Sequence, residues 1–318
     1  MPGRLAIGVD AGGTKVEGLL VDVERDDPIL ERRRVETPAM DAEAVARTIV
    51  GVARELRAGR SDVVALGVGA AGMVSVEGVM RFAPNVAWRE FPLREQVEQG
   101  VGLPTMVDND ANVAVWGEFR FGAGRGTTDM LLVTVGTGIG GGIVSGGRLY
   151  RGAHGFAAEI GHIIVEPNGP RCGCGNLGCW EQMASGRAID RLGRKAAAEH
   201  PESPLARLVS SHPEGLVGPA VTIAAGGGDP VATGVLAEVG RRLGEGIAGL
   251  VNVLDPDVVV VGGGAIEAGD LLLEPTRRAF AGAVEGRSHR PEVSILPATL
   301  GNDAGAVGAA DLALREAS

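Results

Sequence analysis

Apolar and polar positions along the chain fall into two matching designs. Arg4 to Asp10 (RLAIGVD) is an apolar run of strand length, AGGTK turns on glycine, and VEGLLVDV returns as a second run. This predicts two strands joined by a tight turn. TTDMLLVTVGTGIGGGIVSGGRLYRG repeats the plan, with a buried strand, a glycine-threonine turn and a second strand. Two hairpins of similar length, each turning on Gly and Thr, suggest duplicated halves that clasp a phosphate chain between them.

Between and after the hairpins the periodicity alternates. ERRRVETP continues as a third strand ending at Pro38, and DAEAVARTIVGVARELRAG has the spacing of an amphipathic helix with Asp41 as N-cap. DVVALGVGAAG is the next buried strand, with glycines Gly69 to Gly72 at its end. A hairpin, a loop around Pro84 and Asn85 and a short helix lead to PTMVDNDANVAVWGEFRFG, a strand with a polar tip followed by a helix. ASGRAIDRLGRKAAAEH is helical, and the stretch from Pro201 to Pro230 is the least patterned part of the chain. The next helix aligns Val235, Val239, Leu243, Ile247, Leu250 and Leu254 on one face. DVVVVGGGAIEAG opens from a strand into Gly262, Gly263 and Gly264; PEVSILPATLGND is the last strand and AGAVGAADLALRE an apolar closing helix.

Composition narrows the class. With 318 residues and 45% hydrophobic content the chain buries a large core in one large or two ordinary domains. A net charge of −10 argues against a nucleic-acid surface. No apolar run approaches the roughly 20 residues that span a bilayer, and the opening MPGRLAIGVD lacks a signal peptide's apolar region, so a cytoplasmic protein is expected, with no membrane partner.

All 3 cysteines, Cys172, Cys174 and Cys179, fall within EIGHIIVEPNGPRCGCGNLGCWE. Such clustering fits neither a disulfide framework nor random usage. With His162 upstream, the three thiolates make a closed tetrahedral zinc set, and glycines Gly173, Gly175 and Gly178 let the loop bend; buried structural thiols or a redox pair are the alternatives. With every ligand used, such a zinc is structural. Glu159 and Glu181 flank the loop, and two carboxylates with an oriented imidazole suit sugar hydroxyls, although both glutamates also read as solvated charges.

Gly12 and Gly13 permit close backbone approach, Thr14 offers a hydroxyl and Lys15 a cation, all suited to phosphate; Asp10 at the strand end is placed to bind Mg²⁺. A glycine turn in a hairpin is by itself weak evidence. Asp108, Asn109 and Asp110 form the polar tip before a helix. Asp110 in isolation reads as an N-cap; at a strand end beside glycine-rich phosphate loops it reads as a general base for phosphoryl transfer. Gly262 to Gly264 leave room for a nucleotide base or ribose.

The motifs DAGGTK, GAAGMV, NDAN, VGTGIGGG, EIGH, CGCGNLGCWE and DPDVVVVGGG, in this order, resemble the ROK family of sugar kinases over almost the whole chain. The resemblance implies an α/β, actin-like (ribonuclease-H-like) two-domain ATPase fold with sugar and nucleotide in the interdomain cleft. Residues 1–112 plus 304–318 would form a small domain and 113–303 a large one carrying the zinc loop, the last helix crossing back onto the first domain. It implies transfer of the γ-phosphate of MgATP to the 6-hydroxyl of glucose, with Asp110 as catalytic base. Sugar contacts would come from Gly72, Asn85, Asn109, Asp110, Glu159, His162 and Glu181. His162, Cys172, Cys174 and Cys179 would hold structural Zn²⁺. Asp10, Gly12, Gly13, Thr14, Lys15, Thr137 and Gly138 would hold phosphates, and Gly262, Gly263 and Gly264 adenosine. A homodimer or homotetramer is implied. Asp108 departs from the glutamate that close relatives often carry. Other readings are a kinase for N-acetylmannosamine, N-acetylglucosamine or fructose, an ADP or polyphosphate donor, or a sugar-sensing repressor, for whose winged helix the four residues before the first strand leave no room.

Overall fold

The structure is a computed structural model that describes residues 4–83, 86–211 and 217–317. Strands β1 (Leu5–Ala11), β2 (Lys15–Val21) and β3 (Ile29–Glu36) precede helix α1 (Ala42–Arg57) and strand β4 (Val63–Ala70). Short strands β5 (Met73–Val74), β6 (Met80–Phe82) and β7 (Arg89–Phe91) lead to α2 (Leu93–Val101), β8 (Thr105–Asn109) and α3 (Asp110–Phe121). After β9 (Met130–Val135), β10 (Ile139–Ser145) and β11 (Arg148–Leu149) comes the cysteine segment, then α4 (Glu181–Ala184), α5 (Gly186–Glu199), α6 (Pro204–Ser211), α7 (Gly218–Gly226) and α8 (Pro230–Leu254). The chain closes with β12 (Val258–Gly262), α9 (Asp270–Ala283), β13 (Ser294–Pro297) and α10 (Ala304–Glu316).

Two compact units emerge. One gathers Met1–Leu132, Gly142–Ala158 and Ala298–Ser318, the other Val133–Gly141 and Glu159–Pro297. The sequence-based division at 112 and 303 cuts α3. In the structure all of α3 stays with the first unit, because it packs along α10, with Gly117 against the backbone of Ala304 and Gly308 against that of Val113.

The first unit is built on a five-stranded sheet in the order β3-β2-β1-β4-β8. β1–β2 and β2–β3 are antiparallel; β1–β4 and β4–β8 are parallel. Both faces are covered, which is why β1, β2 and β4 read as continuous apolar runs rather than alternating ones. On one face lies α1, whose N-cap Asp41 accepts the N–H of Ala44 at 3.0 Å and whose Val45, Ile49, Val52 and Leu56 are buried. On the other lies α10, buried from Ala304 to Leu314. Gly8 and Gly67 face the carbonyls of Ala306 and Ala309, so a methyl group at either position would run into helix backbone. Within α10, buried Asp311 accepts from Trp116 Nε1 and Arg315 Nε, each at 2.7 Å.

The second five-stranded sheet has the order β11-β10-β9-β12-β13. Strand for strand this repeats the first, with an antiparallel pair at one end (β10–β11, as β2–β3) and a parallel pair at the other (β12–β13, as β4–β8). The duplication expected from the two glycine hairpins is thus a duplication of sheet topology. In the second unit α8 packs along α9, with Gly240 and Gly244 against the backbone of Leu272 and Thr276. Among the described residues no single helix is long and apolar enough to cross a membrane; α7 and α8 meet that test only as a pair bent by 118°.

Candidate functional site

The polar tip of β8 is wired by three side chains. Asn109, not Asp110, is the N-cap of α3: its Oδ1 accepts the N–H groups of Ala111 at 2.9 Å and Asn112 at 3.2 Å. Its Nδ2 donates to the carbonyl of Gly72 at 3.0 Å, tying the end of β8 to the turn after β4. Gly72 has φ +134 and sits against Phe82 and Ala83, a place only glycine fills without strain. Asp110 is therefore relieved of the cap and starts the helix, its Oδ1 accepting the N–H of Ala111 at 2.9 Å. A carboxylate there also gains from the positive end of the helix. Asn85 lies outside the described residues.

Buried Asp108 anchors this tip from below. Its Oδ1 accepts the N–H of Asn109 at 2.7 Å and Nδ2 of Asn112 at 2.8 Å, and its Oδ2 accepts Nε of Arg151 at 2.5 Å. Arg151 carries no motif in the sequence; its partner lies 43 positions away, and only its place just before GAHG in a polar loop hints at a role.

The first hairpin turns as expected. Gly12 N–H donates to Lys15 O at 3.0 Å, and Thr37 braces the turn, its hydroxyl donating to Gly12 O at 2.8 Å and its N–H to Thr14 O at 3.1 Å. Gly13 is half-buried, and Thr14 is left exposed at the tip. Lys15 Nζ pairs with Glu17 at 2.5 Å, Glu17 accepts from Arg32 at 2.7 Å, and Arg32 grips Asp303. Burial pushes Glu17 upward, but hydrogen bonds from Lys15 and Arg32 outweigh it and hold the carboxyl below its ordinary range. Asp10, facing Glu17 across the β1–β2 register, is pushed up to about 6 by burial, with Lys15 opposing and Glu17 adding to the rise. A carboxyl held uncomfortably in this way is a common mark of a functional position.

The second hairpin turns at Gly136, whose N–H donates to Gly138 O at 3.0 Å, leaving Thr137 exposed. The first residues of α5 dock on it, Gly186 N–H donating to Gly136 O at 2.8 Å. Gly138 is small because Glu181 Oε2 fills the space a side chain would need. Gly262 ends β12, Gly263 has φ +85 against the Val135 carbonyl, and Gly264 stands open with nothing near a would-be Cβ.

The cysteine loop folds back on Ile163–Glu166 as a small knitted hairpin. Cys172 N–H donates to Asn176 O at 2.8 Å, Gly175 N–H to Cys172 O at 3.0 Å and Trp180 N–H to Ile163 O at 2.8 Å. The ligand atoms of His162, Cys172, Cys174 and Cys179 all lie within 4.8 Å of one another. Cys172 Sγ is 3.6 Å from His162 Nδ1, and Cys174 Sγ is 3.6 Å from Cys179 Sγ. A tetrahedron with bonds of about 2.0–2.3 Å to nitrogen and sulfur has edges of roughly 3.3–3.8 Å, so the set fits zinc. All three thiols are free. Burial, then a hydrogen bond to Glu181, pushes Cys172 up to about 12; a cation among the sulfurs reverses that preference, since the thiolate is the ligand.

Glu159 and His162 lie three apart on a 3-10 turn, where such residues share a face. Ala158, immediately before, adopts φ +66, a left-handed conformation costing roughly 1 kcal/mol that aims the turn. Glu181 Oε1 lies 2.9 Å from Cys172 Sγ, linking it to the metal cluster.

Two mixed sheets of one order, one opening on DAGGTK and the other on VGTGIGGG, define the actin-like two-domain sugar-kinase class. The chain belongs to the ROK family, whose model matches residues 6–316. It is 46% identical to a glucokinase of Streptomyces coelicolor over 97% of both chains. A ROK family glucokinase from Streptomyces griseus, solved in complex with glucose and AMPPNP, superposes with a TM-score of 0.86 at 46% identity, over 98% of this chain and 99% of that one. A ROK hexokinase from Thermus thermophilus superposes with a TM-score of 0.78 at 34% identity, over 98% of both.

Proposed function

We propose that the chain is a glucokinase, transferring the γ-phosphate of MgATP to the 6-hydroxyl of glucose to give glucose 6-phosphate and ADP. The observation that carries this is the match, over nearly all of both chains, to a relative crystallised with glucose and an ATP analogue. In this reading Asp110 accepts the proton of the 6-hydroxyl as that oxygen attacks the γ-phosphorus in line, and positioning with charge neutralisation supplies most of the rest. Asn109, Gly72, Glu159, His162 and Glu181 hold the sugar. Asp10, Gly12, Gly13, Thr14, Lys15, Thr137 and Gly138 serve the phosphates and Mg²⁺, and Gly262 to Gly264 the adenosine. Zinc on His162, Cys172, Cys174 and Cys179 supplies structural cross-linking when bound. The chain's own part is to present Glu159 and Glu181 from the two ends of that loop. A homodimer or homotetramer in the cytoplasm, where thiols stay reduced, completes the proposal.

The Thermus relative's name, hexokinase, favours a second reading with a broader range of hexoses. A matrix of glucose, fructose, mannose, N-acetylglucosamine and N-acetylmannosamine against ATP, ADP and polyphosphate, read by sugar-phosphate formation, tests both. Glucose with ATP should give the highest kcat/KM; a preference of tenfold or more for another pair overturns the assignment.

A further inference from the structure

Asp108 is a closely enclosed carboxylate beside the proposed base, with only 6% of its side chain exposed. Both of its oxygens are spent within the protein, Oδ1 on Asn109 N–H and Asn112 Nδ2, Oδ2 on Arg151 Nε. The two residues it holds are those that set the direction of Asp110: Asn109 precedes it and caps the helix, and Asn112 follows in the first turn. Asn112 is itself buried, with an Oδ1 that finds no partner among the described residues, so its side chain has no second anchor there. The cation bonded to Asp108 comes from outside the strand and helix. Arg151 belongs to the loop after β11, its carbonyl accepting the N–H of Ala157 at 3.1 Å, and its Nη2 lies 3.5 Å from Glu316 at the end of α10. A small cavity of about 190 Å³, lined by Val74, Met106 and Gly155 among others, borders the pair.

A buried carboxylate with its cation in place keeps a fixed geometry; one that loses the cation draws in water or swings outward. We propose that Arg151 is a positioning residue for phosphoryl transfer: through Asp108 it locks Asn109 and Asn112, and so fixes the aim of Asp110, without touching sugar or nucleotide. The inference rests on Asp110 being the catalytic base. Aspartate is a short side chain, so the reach of Arg151 is part of the fit that keeps both oxygens of Asp108 in place.

The test compares Arg151→Met, Asp108→Asn, the double variant and Asp110→Asn, each as full-length protein with glucose and MgATP. Arg151→Met should lose roughly 10- to 100-fold in kcat, the scale of a misaimed group, with the KM for MgATP within about twofold and the KM for glucose rising by less than kcat falls, because Asn109 also holds the sugar. The double variant should recover at least fivefold of that loss, because a neutral amide in place of the Asp108 carboxylate needs no cation. A role in substrate binding would instead raise a KM by more than kcat falls and give no recovery; either result, or an unchanged kcat in Arg151→Met, overturns the proposal. If Arg151→Met fails to fold, the double variant decides alone: folded and within about twentyfold of wild type supports the proposal, folded and weaker than that overturns it. Full turnover in Asp110→Asn defeats the base assignment itself, whereas an inactive Asp110→Asn beside a fully active Arg151→Met defeats only the positioning role.

Discussion

Arg32 grips Asp303 with both terminal nitrogens, at 2.7 and 2.8 Å, and the same guanidinium reaches Glu17 at 2.7 Å. The edge of the first sheet, the β1–β2 hairpin and the start of α10 are thereby joined by one planar group. Arg32→Ala should lower unfolding free energy by about 1–2 kcal/mol, because Glu17, only 5% exposed, would keep Lys15 as its single cation. Arg32→Lys should recover less than half, since an ammonium cannot fork across Asp303. Urea unfolding of the three proteins checks this.

Asp10 gives stability a pH dependence of known sign. Its carboxyl rises from 3.8 to about 6 on folding, so the folded chain binds that proton more tightly than the unfolded one. The contribution is whole below about pH 4, drains away between pH 4 and 6, and above pH 6 the buried anion costs roughly 2–3 kcal/mol. Asp10→Asn should therefore raise the melting temperature at pH 8, change it little at pH 4, and cut turnover at both.

Replacing Asp110 with Asn should reduce kcat by roughly 10²–10⁴-fold while leaving glucose affinity nearly intact. Because Asn109 supplies the helix cap, the variant should unfold within about 0.5 kcal/mol of wild type. Equilibrium glucose binding and steady-state kinetics together separate this from loss of folding.

Cys174 is the exposed member of the metal set. Cys174→Ser should lower bound zinc well below one equivalent and weaken glucose binding more than nucleotide binding, since Glu181 lies only two residues after the ligand Cys179. Metal analysis alongside glucose titration tests this, and a chelator should reproduce the effect on the parent protein.

Gly67 faces the Ala309 carbonyl too closely for a side chain. Gly67→Ala should cost about 1–3 kcal/mol through displacement of α10, the range for overpacked cores. The parallel change at Gly51, on an exposed position of α1 with open space, should be neutral or stabilising. Thermal unfolding of both variants gives the contrast.

What the sequence discloses and what it conceals divide along range. Both hairpins, the Asp41 cap and the His162–Cys179 cluster are patterns within single short stretches, readable because the responsible residues lie close together along the chain. The capping role at the β8 tip is not legible, since Asn109 and Asp110 are both good caps and only the backbone decides between them. Helix α9 goes unassigned because Pro275 interrupts its pattern, though it packs along α8 through two glycines of the latter. Arg151, Glu17 and Asp303 matter through partners far along the chain, and residue type alone announces no such pairing.

The burial of α10 against β1 and β4 also has a temporal consequence. During synthesis the first sheet emerges early, yet the helix that covers one of its faces is translated nearly 300 residues after β1. Until then that face, with Gly8 and Gly67 presenting bare backbone, stays open on the nascent chain. The first unit must wait for the ribosome to deliver its lid, which makes the half-made sheet a natural client for chaperones.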